Sequence, residues 1–287
     1  MATLKQIRTR IKTAKNIQQI TRAMKLVAAA RLKRATDRVL EARPYSEKLR
    51  EFMLSLSNAG DLPSHPLMEK RQGNKVCLIL ITAERGLAGS YNTNLIRKAG
   101  DFLKELDGPS KLITVGKKGT QFFSKRGYDI VHSQTVASSG ATLEDAVEVA
   151  RIARELFESG EADQIHICYS KFYSAIRQTP QIVKLLPIEP PVEAEGESHG
   201  SLDFAFEPDA EGLLGTLLPR YFLTLVWQAM LESTASEFGS RMTAMTSATD
   251  NAGKMIGELT LKANRERQAS ITKEILEVVG GAEALNG

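Results

Sequence analysis

The sequence predicts an α/β protein in which two long helices, one at each end of the chain, pair as an antiparallel coiled coil and carry an inserted α/β lobe. Three observations predict this fold. Apolar residues recur at heptad-like spacing near both termini, over stretches with very little proline. Strand-like and helix-like patterns alternate between residues 75 and 190. Aromatic residues make up only 6% of the 287 residues, which is few for one large core and favours a partly elongated chain.

The first predicted element is a helix over residues 1–60. Apolar residues recur at steps of three and four from Leu4 to Ala14, slip once, and continue from Ile17 to Val27 and from Ala28 to Ala42. This pattern indicates a heptad-like stripe with one interruption. The only proline in this stretch is Pro44, which predicts a kink or a short break before a second helical piece.

The middle of the chain, residues 75–190, predicts a Rossmann-like α/β lobe. Parallel strands are expected where short apolar runs precede helical patterns, and the last strand is expected to be an antiparallel edge that follows a turn near Ser174. The predicted strands cover residues 76–82, 112–115, 128–132, 164–171 and 181–186. The predicted helices cover residues 94–106, 118–125 and 143–158. Residues 187–200 are rich in Pro, Glu and Gly and predict a linker.

The C-terminal segment, residues 208–287, predicts a second long helix. Its apolar stripe steps by four and three from Phe238 to Ala263, and resumes at Ile271 after an interruption. A helix over residues 208–279 alone would be about 105 Å long at 1.5 Å per residue, more than the core of a protein of this size can cover. It therefore requires a partner helix. We expect the N-terminal helix to pair with it, with Met24 beside residues 252–259.

Small residues and positive charge distinguish the surface of these helices. Both stripes carry alanine, threonine and methionine where a stable coiled coil prefers leucine and isoleucine, so much of each helix is left for a partner outside the chain. Residues 1–50 hold 14 Lys or Arg against 3 Asp or Glu, a net charge of +11, although the whole chain carries only +4. A presequence, nucleic acid, anionic lipid or a negatively charged protein surface are all compatible with such a start.

The sequence predicts no catalytic, cofactor or metal site. The segment after the first strand, Glu84–Ser90, lacks the GxGxxG pattern, and Gly116–Thr120 resembles a phosphate-binding loop only with the wrong spacing. Cys77 and Cys168 lie apart in apolar runs and are expected to be buried thiols. The four histidines lack the spacing of metal ligands or of a catalytic triad; they are His65, His132, His166 and His199.

Several separated motifs resemble the gamma subunits of F-type ATP synthases. The opening of that family is matched by Leu4–Arg8, Ile20–Arg31 and Arg43–Tyr45, and its close by Ala248–Ala252, Asn264–Thr272 and Ile271–Ala282. Its central Asp-Arg-Gly-Leu-Cys-Gly pattern is similar to Glu84–Gly89, and its Tyr-Glu-Pro-Asp pattern is similar to Phe206–Asp209. The chain departs at Ala88, where the family often has Cys, and at Phe206, where it has Tyr. The resemblance covers essentially the whole chain.

The resemblance implies a non-catalytic rotor shaft. In this family the two terminal helices turn inside a ring of alternating alpha and beta subunits, where catalysis occurs, and the lobe holds the epsilon subunit and the membrane c-ring. Motif matches then imply contact residues on two sides. Those for the alpha/beta ring are Met24, Lys25, Arg241, Arg267, Gln268 and Thr272. Those for the c-ring are Phe206 and Glu207. We expect no nucleic-acid partner and no cofactor.

The resemblance also implies a place in the cell. The start without a presequence is typical of a bacterial member, so we expect a peripheral protein at the cytoplasmic face of the bacterial plasma membrane, touching the membrane only through the complex. No run of 18 apolar residues occurs. Two rival hypotheses remain from the residues alone: an α/β enzyme with helical extensions, and a nucleic-acid-binding scaffold whose affinity would fall steeply with salt.

Overall fold

A computed structural model describes residues 3–58, 65–189 and 210–286 of the chain. Its helices are α1 (Leu4–Asn58), α2 (Tyr91–Lys104), α3 (Lys117–Ser124), α4 (Leu143–Glu158) and α5 (Ala210–Asn286), with a 3-10 turn at Pro66–Met68. Its strands are β1 (Val76–Ile81), β2 (Ser110–Val115), β3 (Ile130–Gln134), β4 (Gln164–Ser174) and β5 (Arg177–Leu186). Contacts divide the chain into two units. The lobe unit runs from Ala28 to Arg241, and the helical unit joins the start of α1, up to Val27, to α5 from Met242 onward.

The lobe unit is built on a five-stranded sheet in the order β3-β2-β1-β4-β5. The first four strands are parallel, and β5 pairs with β4 as an antiparallel hairpin that closes between Ser174 and Arg177. All six residues of β1 are buried, as expected for a central parallel strand covered on both faces. The predicted α/β lobe with an antiparallel edge strand is confirmed, with strand ends shifted by up to four residues.

Two apolar layers cover the sheet. One face packs against α4 and the lobe-unit parts of α1 and α5, around Met53, Phe157 and Phe222. The other face packs against α2 and α3, around Leu95 and Phe123. Helix α4 starts at a capping box: the Thr142 hydroxyl accepts from the Asp145 N–H, and the Asp145 carboxylate accepts from the Thr142 N–H at 2.9 Å.

Helix α1 runs unbroken from Leu4 to Asn58 with Pro44 inside it. Of the two alternatives predicted at Pro44, a kink or a short break, the break is therefore wrong. Proline removes one N–H donor and leaves the carbonyl of Leu40 without its usual partner. Both residues are exposed, so water can take the place of the missing donor and the helix continues. Helix α5 likewise continues through Pro219, to Asn286.

In the helical unit, α1 and α5 pair in opposite directions, as predicted. The Thr249 hydroxyl donates to the Thr21 hydroxyl at 2.8 Å, and a Cβ placed on Gly253 would lie 3.0 Å from Gln18 Nε2. Moving toward the end of α1 therefore moves toward the start of α5. Three residues beyond Thr21, Met24 lies level with Thr246 and not beside residues 252–259, so the predicted register was wrong by about two turns.

The buried side of α1 follows a heptad without a slip. Ile7, Ala14 and Thr21 recur every seven residues and are buried. The predicted continuation through Ile17 and Ile20 is wrong, because these side chains are 48% and 59% exposed. The seam instead passes through polar residues at the heptad positions, which a search for apolar residues does not follow.

The buried side of α5 agrees with the prediction up to Ala263. Met245, Ala252 and Ala263 are buried, and the positions between them on the stripe are half-buried. Beyond Glu266 the stripe does not resume against α1: Ile271 and Ile275 are about half exposed. That expectation is wrong because the register that pairs Thr21 with Thr249 sets Leu4, the first residue of α1, level with Glu266.

Candidate partner-binding surfaces

The end of α5 is an exposed helix that carries large apolar side chains. Every residue from Arg267 to Ala282 is exposed. The large apolar ones are 49% to 72% exposed, and they are Ile271, Ile275, Leu276, Val278 and Val279. A cluster of this kind on one short stretch of helix is typical of a protein-binding surface, whereas single exposed apolar residues are common everywhere.

Three of the residues predicted to contact the ring lie in this exposed segment. Arg267, Gln268 and Thr272 are all exposed. The Thr272 hydroxyl donates to the backbone carbonyl of Gln268 at 3.0 Å. Within the described part of the chain, neither the Arg267 guanidinium nor the Gln268 amide bonds another residue, so both are available to a partner.

Met24 and Lys25, also predicted as ring contacts, are half-buried on α1. Lys25 takes a heptad position of the seam, four residues after Thr21. The neighbouring outer face of α1 is apolar and exposed at Ile17, Ile20 and Val27. Lys25 therefore lies in the seam, and Met24 lies beside it, next to an apolar surface that none of the described residues of the helical unit covers.

Arg241 has a different environment, inside the lobe unit. Its side chain is only 13% exposed and forms an ion pair with Glu237 at 2.6 Å. It also donates to the backbone carbonyls of Arg85 and Gly86 at 3.4 and 3.3 Å. Burial raises the pKa of the Glu237 carboxyl, and Arg241 opposes that rise. The structure thus gives Arg241 an internal role in holding the loop after β1.

The crevice at the carboxyl ends of β1 and β4 is where open α/β sheets commonly bind nucleotides. Here it is filled by α5. The Tyr91 hydroxyl, at the start of α2, donates to the Ser233 carbonyl at 3.1 Å, and the Ser170 N–H donates to the Ser233 hydroxyl at 3.1 Å. Both Ser233 and Ser170 are buried. The chain therefore uses this crevice to dock its own helix.

The loop that resembles a phosphate-binding motif is also engaged internally. The N–H of Gly119 donates to the Thr82 hydroxyl at 2.9 Å, and the N–H of Lys118 donates to the Ala83 carbonyl at 3.2 Å. A side chain on Gly116 would meet the Thr82 carbonyl at 2.0 Å, so glycine is needed for close packing. The donors that would hold a phosphate are used within the fold.

Burial shifts the pKa of three further titratable side chains in the lobe unit. Burial raises the pKa of the Cys77 and Cys168 thiols to about 12, which keeps them protonated and inert. Burial, with Lys184 nearby, lowers the pKa of His166 to about 4. Among the described residues, no group of His, Cys, Asp and Glu side chains is placed to hold a metal ion.

Comparison with known proteins decides the family. A profile of the ATP synthase family matches residues 3–285. ATP synthase gamma chains from Desulforamulus reducens and Pelotomaculum thermopropionicum are 44% and 46% identical over 286 and 285 residues, each covering 99% of this chain and 100% of the relative. The chain belongs to the ATP synthase gamma chain family. The resemblance inferred from the motifs is confirmed.

Solved structures agree on the fold. A chain of the Tetrahymena thermophila mitochondrial ATP synthase central stalk and c-ring is 25% identical, with a TM-score of 0.60 over 80% of this chain and 99% of that one. A chain of the Euglena gracilis mitochondrial ATP synthase is 21% identical, with a TM-score of 0.72 over 98% and 94%. Gamma chains are structural rotor subunits of the central stalk and are not catalytic, so this member is not an enzyme by itself.

Phe206 and Glu207, which we expected on the c-ring side of this gamma chain family member, lie outside the described residues. Among the described helices, none has a stretch long and apolar enough to cross a bilayer.

The surface of α5 that docks against the sheet was not predicted from the sequence. Its signal in the sequence is a set of small polar residues at helical spacing: Ser233, Ser236 and Ser240.

Proposed function

We propose that the chain is the central rotor shaft of an F-type ATP synthase and couples ion-driven rotation of the c-ring to ATP synthesis in the beta subunits. The observation that carries this proposal is the exposed end of α5, where apolar side chains and free polar groups share one unpaired helix. Family membership supplies the context, since the relatives are gamma chains over their whole length.

The chemistry of the helical unit suits a surface that meets changing partners. Its contacts to a surrounding ring would be made by Arg267, Gln268 and Thr272 on α5 and by Met24 and Lys25 on α1. Polar contacts of this kind fix orientation and can be exchanged, whereas a continuous apolar interface would resist turning. The net charge of +11 over residues 1–50 favours a ring lined by negative charge.

The partners in this proposal are the alpha and beta subunits around the helices, and the epsilon subunit and c-ring at the lobe. Phe206 and Glu207 are proposed to face the c-ring. The protein would lie at the cytoplasmic face of the bacterial plasma membrane and reach the membrane only through these subunits. It would need no cofactor and no nucleic acid.

The test is assembly with alpha and beta subunits, with Arg267→Ala/Gln268→Ala beside the wild type. Both side chains are exposed, so the change should alter the free energy of unfolding by no more than about 0.5 kcal/mol. Each charge-assisted hydrogen bond lost to the ring would cost about 1.5–3 kcal/mol. We expect unchanged complex yield and a several-fold lower rate of ATP hydrolysis and synthesis.

A matched control is Arg97→Ala/Lys98→Ala, which removes two exposed polar side chains from α2 in the lobe. It should leave turnover by the soluble complex unchanged. Wild-type turnover in the α5 variant would remove Arg267 and Gln268 from the proposed contact set. Loss of helical circular dichroism would instead show that the two residues are structural. Failure of the wild-type chain to form a stoichiometric complex would contradict the proposed function itself.

A further inference from the structure

Strand β4 extends past its neighbour in the sheet. It has eleven residues, whereas β1 has six and pairs with it only as far as Leu80 with Cys168. Beyond Cys168, no strand of the described chain lies beside the edge of β4 that faced β1. Backbone N–H and C=O groups buried there would be costly if left without partners.

Side chains of α5 satisfy that edge. The Ser170 N–H donates to the Ser233 hydroxyl at 3.1 Å, and the Ser236 hydroxyl donates to the Ser170 carbonyl at 2.9 Å. Two residues further along the same edge, the Phe172 N–H donates to the Glu232 carboxylate at 3.3 Å. Residues 170 and 172 direct their backbone groups to one side because of the strand period of two. We call Glu232, Ser233 and Ser236 the serine seam.

The serine seam is buried and is extended along one face of the helix. Ser233 and Ser236 are 1% and 0% exposed, so water does not compete for these bonds. Further along the face, the Ser240 hydroxyl donates to Gln178 Oε1 at 3.1 Å, and Arg241 binds the loop after β1. Residues 233, 236, 240 and 241 follow helical spacing, so α5 presents one polar face to the sheet.

Directional contacts of this kind resist twisting of the helix in a way that the other contacts do not. Between Leu214 and Met230, α5 contributes mainly apolar side chains to the core of the lobe unit, and apolar packing has no preferred direction. Hydrogen bonds weaken steeply when their angle or length changes. Turning α5 by about 20° about its axis would move its Cα atoms by roughly 0.8 Å at a radius of 2.3 Å, and the side-chain oxygens, which lie further from the axis, by more; this is enough to break the seam.

We infer that the serine seam is the joint through which torque passes between the sheet lobe and helix α5. This inference rests on the rotor function proposed above, in which the lobe and α5 turn together. In it, Glu232, Ser233 and Ser236 are positioning residues that keep α5 from turning within the lobe. Because these helix side chains take the place of a neighbouring strand at this edge, they transmit the torque between the sheet and α5.

The test is a measurement of torsional stiffness in the assembled complex. The alpha/beta ring is fixed to a surface and stalled with ADP, and a gold nanorod is attached to the lobe through Lys104→Cys on α2, since the native cysteines are buried. The angular variance of the rod reports the stiffness between lobe and ring. Ser233→Ala/Ser236→Ala should raise this variance roughly twofold or more, because it removes two of the directional bonds.

Two controls separate stiffness from stability. Thr216→Ala/Thr224→Ala removes two hydroxyls of α5 that, among the described residues, bond only carbonyls of their own helix, at Gly212 and Arg220, and should leave the variance unchanged. Ser236→Thr, made alone, keeps a hydroxyl at this position and should leave the variance near the wild-type value. Hydrolysis of ATP by the soluble complex should stay at the wild-type rate in every variant.

The outcomes distinguish the inference from the function beneath it. A folded, assembled complex of the Ser233→Ala/Ser236→Ala variant with the wild-type angular variance would refute the inference that the serine seam is the joint. If the double variant does not assemble, the single variants decide: an increase in each supports the joint, and no change in either overturns it. A wild-type complex that hydrolyses ATP while the rod stays still would contradict the rotor function, and the joint would fail with it.

Discussion

The paired threonines of the helical unit allow the antiparallel register to be tested by a double-mutant cycle. The Thr249 hydroxyl lies 2.8 Å from the Thr21 hydroxyl, and each also reaches a carbonyl of its own helix, Met245 for Thr249 and Gln18 for Thr21. Neither oxygen is therefore orphaned when the other is removed. Valine has the same shape as threonine and a similar helix propensity, so Thr→Val isolates the bond between the two helices.

The magnitudes follow from two opposing effects. Losing the interhelical hydrogen bond costs about 0.5–1.5 kcal/mol, and replacing a hydroxyl by methyl returns up to about 0.8 kcal/mol at the buried Thr21 and less at the half-buried Thr249. Each single change, Thr21→Val or Thr249→Val, should cost about 0.5 kcal/mol. The double variant loses the same single bond but gains two methyl groups, so it should lie within about 0.5 kcal/mol of the wild type or above it.

The assay is urea unfolding of the full chain, followed by circular dichroism at fixed pH. Thr246→Val is the control, because in the part of the chain that the structure describes its hydroxyl bonds only the Met242 carbonyl of the same helix, at 2.9 Å. It should be nearly neutral. If the costs of the two single changes simply add in the double variant, Thr21 and Thr249 do not interact, and the register that pairs them across the two helices is refuted.

Three further changes test the lobe and the exposed helix. Burial holds the pKa of His166 near 4, against 6.5 when unfolded, so its contribution to wild-type stability is complete above pH 6.5 and is lost as the pH falls toward 4. The loss should be about 1–2 kcal/mol after allowance for partial exposure. His166→Gln should remove this pH dependence, as measured by urea titrations across that range. Arg241→Ala should lower the free energy of unfolding by about 3–5 kcal/mol, because it leaves Glu237 buried without its partner. Glu237→Gln/Arg241→Met should recover most of that loss. An Arg241→Ala variant with wild-type thermal stability and reduced turnover would instead favour a contact between Arg241 and the ring. Gly257→Ala should raise stability by about 0.5–1 kcal/mol, since nothing lies within 4 Å of the added Cβ and alanine favours the helix; a lower melting temperature would show that this face is not open.

The lobe was predictable from sequence because its strands are buried on both faces. Runs such as Val76–Ile81 are continuous and apolar, and the helices between them are amphipathic, so local pattern and final position agree. The order of the strands and the docking of α5 were not predictable in the same way. They depend on contacts between residues far apart, such as Ser170 with Ser236, and serine carries no periodic apolar signal.

The long helices were predicted, but their register was not. A thin seam of alanine and threonine gives little contrast between the inner and outer faces of the helix, so the apolar pattern places the outer residues Ile17 and Ile20 in the seam. The predicted pairing of Met24 with residues 252–259 was wrong for the same reason. Arg241 illustrates a different limit: its motif match points to a partner, whereas its ion pair to Glu237 is visible only once the helix and the loop are placed together.

The central claim is that this chain turns inside a catalytic ring. The most direct measurement attaches a probe to the lobe of the chain in a surface-fixed complex with alpha and beta subunits and records its angle during ATP hydrolysis. The proposed function predicts stepwise rotation in one direction that stops when ATP is removed. Steady hydrolysis by a complex in which the probe keeps a fixed mean angle would contradict it.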